Sequence, residues 1–279
     1  MMRPLATLSL LLLLGAAPIA RPQRIVSLNL CADQYLLALA DPGQIVALTR
    51  FARDPQMSAA AGRAARVPVS RGSAEDVLAL RPDLLIATPG RRRATMAQLK
   101  GRNIATLDLP SAESYADIVT QVRKVAVAVG HPERGEALIR RMDAQLAALP
   151  RAPGRGRVAA YYQRRGFLTG TGTLVDDLMR RVGLVNLAAR LGRGTLSRLP
   201  LEQMALARPD ALIVESATDR IEDQGTEMLH HPVLARIPRL SLPQSWTVCG
   251  GPAYVSAADS LSRQLVSETV AKVGQRPLR

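Results

Sequence analysis

The chain has 279 residues, is 47% hydrophobic but only 3% aromatic, and carries a formal charge of +14 at neutral pH. All but three of its 37 basic residues are arginine (the lysines are Lys100, Lys124 and Lys272), and most stand singly. With few aromatic rings to stack on bases and no zinc-finger, basic-zipper or RNA-recognition spacing, the charge reads as solvated surface, and nucleic acid is not expected as a partner.

The chain opens with Arg3, an apolar run from Leu5 to Leu14, and small residues at Gly15 to Ala17 and at Ala20. That pattern predicts a secretory signal peptide over residues 1–20, cut after Ala20, and an exported soluble protein. No later stretch is long and apolar enough to span a bilayer. The first strand is expected at 24–29 (RIVSLN), followed by a helix through CADQYLLALADP and a second strand at 45–49.

Residues 74–87, AEDVLALRPDLLIA, then return as residues 201–214, LEQMALARPDALIV. Glu75 and Glu202, and Pro82-Asp83 and Pro209-Asp210, are each 127 positions apart. Each copy reads as a short amphipathic helix, a Pro-Asp turn and a buried strand, since proline lacks the N–H and disfavours helical geometry in the residue before it. The LLIA and ALIV runs suit strands of a covered parallel sheet. A single long-range repeat is too few for a solenoid and predicts two similar α/β lobes.

Between the copies, 113–149 is helical in two pieces with no strand, the second restarting at Pro132. PRAPGRG (150–156) is the boundary between lobes. The expected layout is an N-terminal lobe at 24–130, a linking helix at 131–149 and a C-terminal lobe at 157–279. The alternation of strands and helices predicts mostly parallel sheets.

No element carries an obvious reaction. TGTG (169–172) lacks the Walker lysine and the GxGxxG spacing, and reads as a turn where backbone approaches a ligand or a neighbour. His230-His231 has no third histidine at ligand spacing and reads as a turn before Pro232. No GxSxG and no nucleophile–base pattern is present, so the chain is read as a non-enzyme without a cofactor or a metal site of its own.

RIVSLNLCADQYLLALADP, the doubled ExxxxLxPDxLI element, the paired helices between the lobes and WTVCGGP near the end resemble the periplasmic substrate-binding proteins of ABC importers for iron–siderophore complexes, haem and cobalamin. The resemblance covers nearly the whole mature chain. It implies an α/β fold of two Rossmann-like lobes joined by a single long α-helix, small hinge motion, and a metal chelate or corrinoid held in the inter-lobe cleft. It further implies a periplasmic monomer that hands this small-molecule ligand to an inner-membrane ABC permease dimer. In such proteins one glutamate per lobe docks on permease arginines, and Glu75 and Glu202 match those positions. An acid in a first helical turn also complements the helix dipole, which is the simpler role.

Ligands of open α/β sheets lie beyond the carboxyl ends of the strands. That rule, applied to the resembling layout, nominates Asn29, Cys31, Asp33, Arg50, Phe51, Arg71, Arg91, Tyr162, Arg164, Thr169, Trp246 and Cys249 as ligand-binding. Arginines suit an anionic chelate, because guanidinium pairs bidentately with carboxylate-type oxygens. Tyr162 and Trp246 could lie against a flat ring or be core. Cys31 and Cys249, the only cysteines, fall in opposite lobes, where family members commonly carry other residues. In an exported protein they form a disulfide between the lobes, contact a ligand or soft metal as thiols, or stand as separate core residues. Two alternatives therefore accompany the importer reading: an exported soft-metal-ion binder using Cys31 and Cys249, and an exported α/β enzyme.

Overall fold

The computed structural model describes residues 21–88 and 93–274. The expected signal peptide lies outside the described residues, among which no helix is long and apolar enough to cross a membrane. The first sheet is built from β1 (Ile25–Ser27), β2 (Ile45–Thr49), β3 (Val69–Ser70), β4 (Leu84–Ala87) and β5 (Ala105–Asp108), all parallel, in the order β3-β2-β1-β4-β5. Helices α1 (Leu30–Leu39), α2 (Ala61–Ala64), α3 (Ala74–Ala79) and α4 (Arg93–Leu99) connect its strands. Local signals set the helix starts: Asn29 caps α1 by accepting from the backbone N–H groups of Cys31 and Ala32, and Ser73 caps α3 by accepting from that of Asp76.

Two helices follow, α5 (Tyr115–Ala128) and α6 (Pro132–Ala147), and α6 packs on α5. Every later strand belongs to the second sheet, so the chain crosses between sheets once, after α6. That sheet contains β6 (Val158–Gln163), β7 (Phe167–Thr169), β8 (Val185–Asn186), β9 (Leu196–Arg198), β10 (Ala211–Glu215) and β11 (Arg239–Leu242). Its order is β11-β10-β6-β7-β9, with β8 also pairing β6. Helices α7 (Leu174–Arg181), α8 (Leu187–Arg190), α9 (Leu201–Ala207), α10 (Gln224–Glu227) and the long α11 (Tyr254–Gly274) complete the lobe.

The second sheet is mixed where sequence reading expects it mostly parallel. Strand β7 runs antiparallel to β6 and to β9. Residues 164–166 turn the chain back at once, with Arg165 at φ 59° and Gly166 at φ 76°, and so short a connection can join only antiparallel neighbours.

The repeat has a local physical basis. In both copies the helix ends on an arginine in the left-handed region, Arg81 at φ 45° and Arg208 at φ 43°, rather than on the extended residue usual before proline. The Arg208 N–H then bonds the Met204 carbonyl and closes the helix. The aspartate after each proline binds the start of the neighbouring strand. Asp83 accepts from the backbone N–H groups of Gln23 (2.6 Å) and Arg24 (3.0 Å), ahead of β1. Asp210 accepts from that of Val158, the first residue of β6, at 2.8 Å. The Pro-Asp step therefore stops a helix and sets the register of β4 against β1 and of β10 against β6.

Side chains alternate across each strand, and the alternation divides the core. On β4, Leu84 and Ile86 join one cluster and Leu85 and Ala87 another; on β10, Ala211 and Ile213 separate in the same way from Leu212 and Val214. One face of each sheet contributes to a single cluster that also takes in α1, α5, α6, α7 and α11. The outer faces form two smaller clusters, one per lobe. The lobes thus share one continuous apolar core.

Candidate functional site

The carboxyl ends of β1, β2, β4 and β5 open into a cavity of about 790 Å³. Leu28, Thr49, Thr88 and Leu109, each just at or beyond a strand end, form its floor with the first turn of α1. Among the described residues, the second lobe supplies only Leu174 and the segment Thr247–Gly250, which forms the opposite wall.

That wall is fixed to the first lobe by covalent, polar and steric contacts. Cys31, in the first turn of α1, is disulfide-bonded to Cys249, with Cα atoms 5.3 Å apart. The buried Tyr35, one turn along the same helix, donates its hydroxyl to the Gly250 carbonyl at 2.7 Å. Gly250 packs so closely that a Cβ there would lie 2.6 Å from the Ala112 carbonyl oxygen, so glycine is required by the approach of two backbones. Behind the wall, Asp177 of α7 accepts from the Tyr115 backbone N–H (3.2 Å) and from the Tyr254 hydroxyl (2.5 Å). The Arg181 guanidinium lies 4.9 Å from the Tyr115 ring centre and donates to the Tyr254 oxygen at 2.9 Å.

Of the residues nominated from sequence, Asn29, Cys31, Arg50, Phe51, Arg71 and Cys249 line this cavity. Arg50 and Phe51 occupy a single 3₁₀ turn after β2, with the guanidinium 4.6 Å from the ring centre and Phe51 40% exposed. Arg50 has no carboxylate partner among the described residues. Arg91 lies outside the described residues.

The other nominees are placed elsewhere, each for an identifiable reason. Asp33 is fully buried beneath the floor, accepting from the Thr49 hydroxyl (2.5 Å) and backbone N–H (3.2 Å). It holds Thr49, which lines the cavity, instead of lining the cavity itself. Burial pushes its carboxyl up to about 6, against the opposing pull of its hydrogen bonds from Ser27 and Thr49. Tyr162 points into the outer core of the second lobe and donates to the Leu199 carbonyl at 2.7 Å. Its neighbour Tyr161 takes the inner face, with its hydroxyl 3.2 Å from that of Thr247, because consecutive strand residues face opposite ways. Arg164 is paired with Asp223 at the β6–β7 turn, and Thr169 bonds back to Gln163 at 3.4 Å. Trp246 packs half-buried on the shared core, one residue before the wall begins.

Sequence reading passed over Met57, Thr88, Leu174, Gln121 and the segment Leu109–Glu113, all of which line the cavity. The strand-end rule identifies Leu109–Glu113 once β5 is placed; Met57 lies in irregular chain and carries no such signal. Glu215 was also missed. It stands 127 positions after Thr88 at the end of β10, only 7% exposed, with burial raising its pKa and Gln163 donating to it at 3.3 Å. The TGTG turn proves to be a backbone approach to a neighbour: a Cβ on Gly170 would sit 1.8 Å from the Gly194 carbonyl oxygen.

A profile of the periplasmic binding proteins matches residues 25–239. The chain belongs to the periplasmic binding protein family. Within it, a vitamin B12-binding protein of Pectobacterium atrosepticum is 26% identical over 265 residues, 91% of this chain and 92% of that protein. Among solved structures, the periplasmic heme-binding protein of Roseiflexus sp. RS-1 in apo form aligns with a TM-score of 0.69 at 25% identity, covering 88% of this chain and 98% of its own. The periplasmic vitamin B12 binding protein of Vibrio cholerae shares the fold with a TM-score of 0.64 at 17% identity, covering 92% and 99%. The two-lobed α/β architecture is that of the family.

Two measurements test this account of the site. The Cys31–Cys249 bond spans 218 residues of sequence, and its reduction should lower stability to urea by about 2–5 kcal/mol through the freed unfolded chain. Thiol titration of the unfolded protein should find none before reduction and two after; two before reduction would rule the bond out. For Asp33, the folded pKa lies above the unfolded one, so its contribution is full below about 4 and is lost as pH rises through about 6. Relative to Asp33→Asn, the native protein should therefore lose about 2–2.5 kcal/mol between about pH 4 and about pH 7, and parallel pH profiles for the two proteins would contradict the burial argument.

Proposed function

We propose that this protein is the solute-binding component of an ABC importer, holding a metal chelate of the corrinoid, haem or ferric-siderophore class in the inter-lobe cavity and passing it on unaltered. The observation that carries this reading is the cavity itself: about 790 Å³, at the carboxyl ends of a parallel sheet and walled by the second lobe. That is the size and position at which α/β folds take ligands. The relatives named for vitamin B12 and heme binding support a metal chelate as the cargo. The soft-metal alternative needs two thiols, and the disulfide removes both. An enzyme reading finds no support among relatives that are binding proteins.

Delivery rests on Glu75 and Glu202. Both are exposed and lie in the first turns of α3 and α9, at matched positions of the repeat. Helix α3 follows β3, whose end reaches the cavity at Ser70 and Arg71, and α9 follows β9 in the second lobe, so the repeat presents one acid per lobe. Glu75 is held below the usual carboxylate range by its own backbone N–H and by the Ser73 hydroxyl, and so stays charged in mild acid. Two fixed like charges related by pseudo-twofold symmetry suit two symmetric basic pockets on a permease dimer.

A thermal-shift screen of the mature protein with cyanocobalamin, hemin and ferric siderophores tests the cargo. A specific ligand at a hundredfold excess over its Kd should raise the Tm by about 5–10 °C, and a flat response to all of them would count against the chelate reading. For docking, the double reversal Glu75→Arg with Glu202→Arg should cut uptake at least about tenfold while leaving ligand affinity within about twofold. Uptake that survives the reversal would exclude these acids from docking.

A further inference from the structure

Iron and cobalt with an open axial position bind imidazole, phenolate or thiolate avidly and a lone thioether or carboxylate less well, so a protein that recognises its cargo through the metal presents such a donor at the cavity. This chain has three histidines, five tyrosines and two cysteines in all, and the structure accounts for each. His131 is buried at the start of α6, its Nε2 2.9 Å from Asp41. His230 has its Nε2 2.8 Å from the Thr218 carbonyl oxygen, and His231 accepts from the Val233 backbone N–H. None of the three lines the cavity.

The phenols are engaged as well. Tyr35 donates to Gly250, Tyr115 to Asp143, Tyr162 to Leu199 and Tyr254 to Asp177, while Tyr161 sits between Thr247 and Glu215. Burial raises the pKa of Tyr35 and Tyr161, the two nearest the wall, and so opposes the phenolate that a metal would need. The two sulfurs are joined to each other. Residues 89–92, which follow the cavity residue Thr88, are Pro, Gly, Arg and Arg and add no such donor. Met57 and Glu113 remain on the lining as one thioether and one solvent-exposed carboxylate, each a weak lone ligand. Against this, Arg50 and Arg71 bring two guanidinium groups to the first-lobe side, matched to ionised oxygens.

The geometry points to a cargo whose metal arrives with its coordination shell complete, recognised by anionic oxygen groups on the rim of the chelate and not by a protein–metal bond. This rests on the chelate reading above and selects within it. A carboxylate or a phosphate could supply the rim charge; both meet the same arginines.

Absorption titrations of the oxidised mature protein with cyanocobalamin, aquacobalamin, hemin and dicyanohemin test it. The metal-centred bands of whichever chelates bind should match those of the free chelate. Cyanocobalamin and aquacobalamin should agree in affinity within about threefold, and dicyanohemin should bind no worse than hemin. Arg50→Ala and Arg71→Ala should each weaken binding by about tenfold without moving a band. A band shift on binding, or a clear preference for the open chelate, would overturn the inference while leaving the cargo class intact. Loss of that shift in Met57→Ala or Glu113→Gln would name the ligand responsible. Binding of none of the four, nor of any saturated ferric siderophore, overturns the chelate reading and this inference with it.

Discussion

The alternation of side chains along four central strands governs how the two lobes behave toward each other. Because β1 and β4 in one lobe and β6 and β10 in the other each send alternate residues to opposite faces, every sheet has an inner and an outer apolar side. The inner sides meet around α5, α6, α7 and α11, so the lobes are not two bodies on a tether. Each large side chain in that shared core contributes on the order of 1.5–3 kcal/mol by leaving water. Wide separation of the lobes would expose many of them at once. Resistance to such separation follows from this core more than from the stiffness of α6.

Onto this rigid frame the cavity wall is attached as a separate short segment. Thr247–Gly250 leaves the second sheet after β11, crosses to the first lobe, and is held there by the Cys31–Cys249 bond, the Tyr35 hydroxyl and the backbone contact with Ala112. The consequence is an asymmetric site. Nearly all of the floor and both described arginines belong to the first lobe, while the second lobe contributes a cover. Both described arginines of the lining, Arg50 and Arg71, lie on the first-lobe side, and Leu28, Phe51 and, from the second lobe, Leu174 supply apolar surface.

The duplication is most exact at the Pro-Asp step. The same local chemistry, a left-handed arginine, a proline and a strand-binding aspartate, recurs in both lobes, and Glu75 and Glu202 stand on equivalent helix starts ahead of it. A pair of acids at equivalent places is what a symmetric partner can read, and it comes without any extra structure beyond the repeat.

Much of this was legible in the residues. Apolar runs, caps and the repeat are local or periodic signals, and they determined the main strands and helices, the two lobes and the family resemblance, while the short strands β7, β8 and β9 escaped them. The strand-end rule also reached Asn29, Arg50, Phe51 and Arg71, because in a parallel sheet the position beyond a strand end follows from the strand alone. What sequence could not decide was which way a side chain faces and what a distant segment covers. Tyr162 and Tyr161 differ by one position, and the pleat sends them to opposite faces. Asp33 follows a helix start yet turns inward to Thr49. The pairing of Cys31 with Cys249 and the seating of Gly250 on Ala112 depend on contacts across more than a hundred residues, and only the packed tertiary structure brings those atoms within reach.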